Sequence, residues 1–136
     1  MSTVLTYGTF DLFHVGHVRL LRRAKKLGAK LIVGLSTDEF NKKKGKLSVN
    51  SFEDRREILL SCSYVDDVFA EYMWDQKIFD VKRLSVSTFV MGDDWKGKFD
   101  YLNSFCNVVY LKRTPDISTS KIKTSVIDSS VSLQIY

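Results

Sequence analysis

Between Val4 and Leu27 the chain passes from a short apolar run into an amphipathic one, through Tyr7-Gly8-Thr9-Phe10-Asp11-Leu12-Phe13-His14-Val15-Gly16-His17. Val4 to Tyr7 reads as a strand that stops at Gly8. From Val15 onward, Val18, Leu20, Leu21, Ala24 and Leu27 cover one side of a helix, while Arg19, Arg22, Arg23 and Lys26 cover the other. Gly28 suits the helix stop. A strand that turns directly into a helix is the repeating step of an α/β fold.

Both histidines of the chain fall at that helix start, three residues apart and so on one face of the first turn. The first N–H groups of a helix lack intrahelical partners, and the helix dipole adds partial positive charge there. With Gly8 and Gly16 allowing close backbone approach, the place suits a phosphate. A zinc ion would want histidines four apart or further ligands nearby, and no Cys or Glu stands at the right offset. A histidine pair alone at a helix start is more often a cap or a surface feature. The Gly-Thr-Phe-Asp run directly after a strand raises the functional reading.

The rest of the chain repeats the alternation. Lys30–Leu35 reads as strand two, with Leu31-Ile32-Val33 typical of a strand buried on both faces. Ser36-Thr37-Asp38-Glu39 reads as a helix cap, and Asn41-Lys42-Lys43-Lys44-Gly45-Lys46 as a mobile basic loop. Ser51 caps an expected helix over 52–61 that carries Arg55 and Arg56. Strand three is expected over 65–70, a helix over 74–84, strand four over 88–92 and strand five over 108–111. A short helix or turn over 101–105 precedes strand five. A loop from Lys112 to Ser118, a last helix over 119–127 and a polar tail over 128–136 follow.

This alternation predicts a Rossmann-like α/β fold: a parallel sheet of about five strands with helices on both faces, one domain over 1–127 plus the tail. Ligands of such sheets bind beyond the carboxyl ends of the strands, near the switch in strand order. The chemical residues here converge on those ends: His14 and His17 after strand one, Asp94 after strand four, Arg113 and Ser118 after strand five.

A net charge of +5 in 136 residues favours an anionic partner. Nucleic acid is not favoured, because no helix-turn-helix, zinc-finger or RNA-binding signature accompanies the charge. Cys62 and Cys106 belong to no C-x-x-C pattern, which fits reduced thiols in a cytoplasmic protein. No signal peptide and no bilayer-spanning run is visible.

Arg113-Thr114 and Ile117-Ser118-Thr119-Ser120 mark a second strand-to-helix junction whose hydroxyls and N–H groups can hold phosphate oxygens. Lys44 and Lys46 can reach over phosphates. Trp74 and Trp95 read as packing, with one ring beside a base as the alternative, and Lys77 as a surface lysine by default. No nucleophile elbow, Walker lysine motif, G-x-G-x-x-G or hydrolase carboxylate pair is present. The inventory is one for positioning and charge stabilisation, as phosphoryl or nucleotidyl transfer requires.

Gly8-Thr9-Phe10-Asp11-x-x-His14-x-Gly16-His17, with Arg113-Thr114-x-x-Ile117-Ser118-Thr119, resembles the cytidylyltransferase family of the HIGH-type nucleotidyltransferases. The likeness runs from Val4 to about Ile127 and takes in Ser36-Thr37-Asp38-Glu39-Phe40-Asn41, Tyr64-Val65-Asp66 and Val90-Met91-Gly92-Asp93-Asp94-Trp95. It implies a homodimer that joins CTP and a small phosphorylated alcohol, glycerol 3-phosphate foremost, into a CDP-linked product and pyrophosphate. The acceptor phosphate would attack the α-phosphorus directly, and the product would serve teichoic acid or capsule precursors.

By the same resemblance, Thr9, Phe10, His14, Val15, Gly16 and His17 would bind CTP, as would Lys46, Arg113, Thr114, Ile117, Ser118, Thr119 and Ser120. His14, His17, Lys46 and Arg113 would act on the transition state, and Lys44 and Lys77 would hold the acceptor. Asp94 is the candidate for reading the cytosine amino group, because a carboxylate only accepts. Mg²⁺ would travel with the triphosphate.

Two positions depart from the resemblance. Pro115-Asp116 stand where the closest members usually carry a glycine, and Ser63 stands where enzymes acting on glycerol phosphate tend to be basic. The acceptor is therefore the point least fixed by the motifs. Another polyol phosphate or phosphoethanolamine, an adenylyl transfer, or a binding module without chemistry are the alternatives.

Overall fold

The computed structural model describes residues 2–113 together with Thr119, Ile122 and Lys123. Its elements are β1 (Thr3–Gly8), α1 (Val15–Lys25), β2 (Lys30–Ser36), α2 (Asp38–Lys43), α3 (Phe52–Ser61) and β3 (Asp67–Glu71). A 3-10 turn at Trp74–Gln76 runs into α4 (Lys77–Arg83), followed by β4 (Thr88–Gly92), 3-10 turns at Asp93–Trp95 and Asp100–Ser104, and β5 (Asn107–Leu111). The expected Pro115-Asp116 loop, most of the last helix and the tail lie outside the described residues.

The five strands form one parallel sheet, as expected, and their order is β3-β2-β1-β4-β5. The chain starts in the middle, lays β2 and β3 to one side, then crosses over and lays β4 and β5 to the other. The direction of winding reverses between β1 and β4, which opens a crevice at their carboxyl ends.

Strand residues alternate between two cores. Val4, Leu31, Val33 and Leu35 meet Leu21 and Ala24 of α1 and Leu59 of α3 on one face. Leu5, Tyr7, Ile32, Phe89 and Met91 meet Val81 of α4, Phe99 and Leu102 on the other. The two-residue period of a strand thus feeds both layers at once.

Several expectations are corrected. α1 ends at Lys25, so Leu27 lies past the helix and is 42% exposed instead of covering its apolar side. β3 starts two residues later than expected. Asp66 instead closes the ladder with its carboxylate, which takes the Leu31 N–H at 2.7 Å and the Lys25 ammonium. The basic stretch is not wholly loop, because α2 continues through Lys43. Thr37 caps α2 by accepting from the Phe40 N–H, and Phe40 and Asn41 are buried on its inner side.

Candidate active site

α1 begins with a histidine as its own cap. The His14 Nδ1 accepts the Gly16 N–H at 3.0 Å, and the His17 Nδ1 accepts the His14 N–H at 3.2 Å. The two rings stack with centroids 3.8 Å apart. With both Nδ1 atoms accepting, the proton of each neutral ring sits on Nε2, leaving that N–H to donate outward. Burial pushes His17 down to about 3, with His14 lowering it further and Asp11 opposing. Burial also holds His14 below the ordinary histidine value. Both rings are therefore neutral donors near pH 7. The capping reading and the functional reading of the pair are compatible, since capping uses Nδ1 and leaves Nε2 free to act.

The turn between β1 and α1 is strained. Phe10 and Leu12 both sit at φ 48°, a region costing a non-glycine residue on the order of 1–3 kcal/mol. Gly8 is needed beneath it, since a β-carbon there would stand 2.7 Å from the Phe10 ring. Buried polar groups hold the turn. The Asp11 carboxylate accepts from the N–H groups of Val49 and Asn50 at 2.7 and 2.9 Å, and its carbonyl accepts from the Thr119 hydroxyl at 2.9 Å. Burial alone would raise Asp11, but these N–H donors and Lys123 outweigh it and leave it below the ordinary value.

Arg55 is fully buried. It donates to the carbonyls of Thr9, Ser36 and Asn50 and to Asp38, tying together the ends of β1 and β2 and the loop before α3. Asn41 does the same nearby, accepting from Thr9 and Ser36 and donating to Ser48.

The crevice has two lobes. One, of about 370 Å³, is lined by Lys44, Lys46, Glu71, Trp74 and Lys77. The other, of about 470 Å³, is lined by His14, Gly16, Arg23, Asp94, Lys112 and Arg113. Thr9, Phe10, His17, Trp95 and Thr119 belong to both. The sequence candidates thus converge on one crevice, on either side of His17.

Val15 lines neither lobe, and its side chain is half exposed at the first helical position. Asp94 accepts from Arg113 at 3.0 Å in an exposed pair, which is weak enough to exchange partners. Thr114, Ile117, Ser118 and Ser120 lie outside the described residues. Ser63 falls at the opposite end of the sheet, before β3 begins, and lines neither lobe.

Lys77 is not a surface lysine. It is buried and donates to Glu71 Oε2 at 2.7 Å, with the rings of Tyr7, Trp74 and Phe99 around its ammonium at 4.7, 4.8 and 5.4 Å. Burial raises Glu71 despite the pull of Lys77. Lys44 lies over Phe40 and Trp74, and burial pushes its ammonium down. Trp74 and Trp95 are not core packing either: they are 45% and 36% exposed and wall the crevice.

Sequence reasoning assigned no role to Asp11, Asn41, Arg55 or Glu71. Arg55 had a signal, since Phe52, Arg55 and Leu59 share one face at helical spacing and an arginine on an apolar face calls for buried acceptors. Among the described residues, no helix is long and apolar enough to cross a membrane.

Known proteins share both the sequence and the fold. The family model described as cytidylyltransferase-like matches residues 5–125. Glycerol-3-phosphate cytidylyltransferase of Bacillus spizizenii is 58% identical over 90% of this chain and 95% of its own length. The enzyme of the same name from Staphylococcus aureus is 55% identical over 90% and 93%. A lipopolysaccharide core biosynthesis protein from Thermoplasma volcanium superposes with a TM-score of 0.74 over 84% of this chain and 98% of its own, at 24% identity, and shares the fold.

Proposed function

The chain belongs to the cytidylyltransferase-like family, and from that premise we propose that it joins CTP and glycerol 3-phosphate into CDP-glycerol and pyrophosphate. The observation that carries the reading is His17 on the wall common to two cationic lobes. CTP occupies the lobe of His14, Asp94 and Arg113, with its α-phosphate at the junction. The acceptor occupies the lobe of Lys44, Lys46 and Lys77, with its phosphate facing the same point.

An oxygen of the acceptor phosphate forms the new bond to the α-phosphorus. The bond from that phosphorus to the β-phosphate oxygen breaks, and pyrophosphate leaves with the electron pair. The Nε2–H groups of His14 and His17 donate to the α-phosphate oxygens, where charge builds in the transition state. Arg113 and Lys46 neutralise the rest of the triphosphate. The direct attack requires no covalent intermediate on the protein.

Mg²⁺ is proposed to arrive on the nucleotide's own phosphate oxygens, since among the described residues no three His, Cys, Asp or Glu side chains converge to cage it. The working form is proposed to be a cytoplasmic homodimer whose product feeds teichoic acid or capsule precursors. Tyr72, Met73 and Phe79 are apolar side chains left exposed, which supports a second copy covering them.

The test is pyrophosphate release from CTP, with mass detection of CDP-glycerol, across glycerol 3-phosphate, other polyol phosphates and phosphoethanolamine. Release with glycerol 3-phosphate supports the reading. Release only with another acceptor, or with ATP in place of CTP, overturns it.

A further inference from the structure

The acceptor lobe contains a carboxylate that a phosphate-binding site does not call for. Glu71 ends β3, its side chain is only 4% exposed, and it lines the lobe together with Lys44, Lys46, Lys77 and Lys123. Anions repel, so a buried carboxylate here weakens phosphate binding unless it has another task.

Its neighbours narrow the task. Tyr7 and Gln76 are already engaged, both donating to Asp80, at 2.6 and 2.9 Å. Among the described residues only Oε2 of Glu71 is engaged, by Lys77, and no buried side-chain polar atom lacks a partner. The second carboxylate oxygen therefore opens on the lobe. Lys77 commits one of its three N–H groups to Glu71, so the pair is neutral as a unit and presents an acceptor and donors side by side. Lys44, by contrast, lies over two rings with no ion pair among the described contacts.

We propose that Lys44 takes the phosphate of the acceptor, and that the Glu71–Lys77 pair reads a hydroxyl on its carbon chain. Glu71 accepts the hydrogen bond of the hydroxyl, and Lys77 donates to the same oxygen. A hydroxyl both gives and takes a hydrogen bond and matches the pair. An alkyl chain leaves both groups unanswered. The ammonium of phosphoethanolamine has no lone pair for Lys77 and meets its charge directly.

This rests on the acceptor assignment above and sharpens it to a specificity-determining residue. Glycerol 3-phosphate, propyl phosphate and phosphoethanolamine would be compared by kcat/KM at saturating CTP, in the wild-type chain and in Glu71→Gln, which keeps the side-chain shape. A hydrogen bond to a charged group corresponds to a preference of roughly 10- to 100-fold for glycerol 3-phosphate over propyl phosphate in the wild type. That preference should shrink to within about threefold in Glu71→Gln, with KM for CTP unchanged, since one charge-assisted bond is worth about the difference.

Equal use of the two acceptors by the wild type overturns the proposal, whether or not the variant folds. So does a Glu71→Gln variant that slows both acceptors by the same factor, which would make Glu71 only a support for Lys77. Preferred use of phosphoethanolamine also overturns it. If the wild type uses neither three-carbon phosphate but does use another phosphorylated alcohol, the acceptor assignment fails instead. Glu71 is then judged by the same ratio on that alcohol and its deoxy analogue.

Discussion

His14 and His17 stack with their rings 23° from parallel, and each surrenders its Nδ1 to a backbone N–H. The helix end thereby fixes both tautomers before any substrate arrives, and leaves each ring its Nε2–H to offer to the crevice. Replacing either histidine with alanine should lower kcat by roughly 10²–10³, the usual cost of losing one transition-state donor. Steady-state kinetics alongside circular dichroism would check this. Near-normal turnover in either variant would remove the histidines from the chemistry.

The same burial makes stability depend on pH. His17 is held near 3 in the folded chain, below its unfolded value of about 6.5. A histidine depressed in this way binds fewer protons folded than unfolded, so its stabilising effect is complete above pH 6.5 and is lost as pH falls toward 3. At pH 4.5 the loss attributable to this ring is on the order of 2–3 kcal/mol. Urea titrations at pH 7.5 and 4.5 should show a smaller drop for His17→Gln than for the wild type. Equal drops would mean the ring is freely protonated in the native state.

Much of this was readable in the residues. The five strands announce themselves through runs such as Leu31-Ile32-Val33, because burial on both faces leaves no polar alternation. The crevice follows from where parallel sheets bind ligands, and the histidines, Asp94 and Arg113 follow from what stands at strand ends. What was not readable is the set of residues whose meaning depends on distant partners. Lys77 looks like any helix lysine until Glu71, six residues away, is folded back against it in a box of three rings. Asp11 looks like part of a motif until its carboxylate is seen to hold the backbone of Val49 and Asn50. Spacing along the chain reveals periodic faces, whereas these contacts are set by tertiary closure.

Arg55 is the largest such case, and it makes a sharp prediction. Arg55→Met keeps the volume but strands the carbonyls of Thr9, Ser36 and Asn50 and releases Asp38. The loss should be about 3 kcal/mol or more, as for breaking a buried charged network from one side. Because Thr9 precedes the strained Phe10, KM for CTP should rise together with KM for the acceptor. Arg55→Lys, whose single ammonium cannot span three carbonyls and a carboxylate, should rescue little. A stable Arg55→Met variant with ordinary KM values would show that the turn holds itself.

Base choice should depend on Asp94. The cytosine amino group donates to a carboxylate, whereas uracil presents a carbonyl at that position and would meet it acceptor to acceptor. Arg113 must then share or release Asp94, which their exposed contact permits. Asp94→Asn, able to donate as well as accept, should narrow the preference for CTP over UTP by roughly tenfold, about one charge-assisted bond. An unchanged CTP to UTP ratio would mean that backbone groups read the base.

The stretch after α2 should close over the substrates. Lys44 is already seated over Phe40 and Trp74, and Lys46 donates its N–H to the Asn41 carbonyl at 2.8 Å, so the start of the segment is anchored. Beyond it, Leu47 lines the acceptor lobe and is 75% exposed, and Val49 is 63% exposed, an arrangement that closure or a partner would improve. Gly45 sits between the two lysines at φ 77°, a left-handed conformation that glycine adopts without strain, so the backbone there has the freedom a hinge needs. Two anionic substrates repel, and drawing Lys46 inward offsets that charge at the moment they meet. Amide exchange over residues 42–47 should therefore slow markedly with CTP and acceptor together and only slightly with CTP alone. Lys44→Ala should raise KM for the acceptor, and Lys46→Ala should lower kcat and weaken CTP. Gly45→Ala should cost about 1 kcal/mol or more in the φ > 0 conformation and slow turnover without touching either ammonium. Exchange indifferent to both substrates, with ordinary kinetics in all three variants, would leave the segment a static rim.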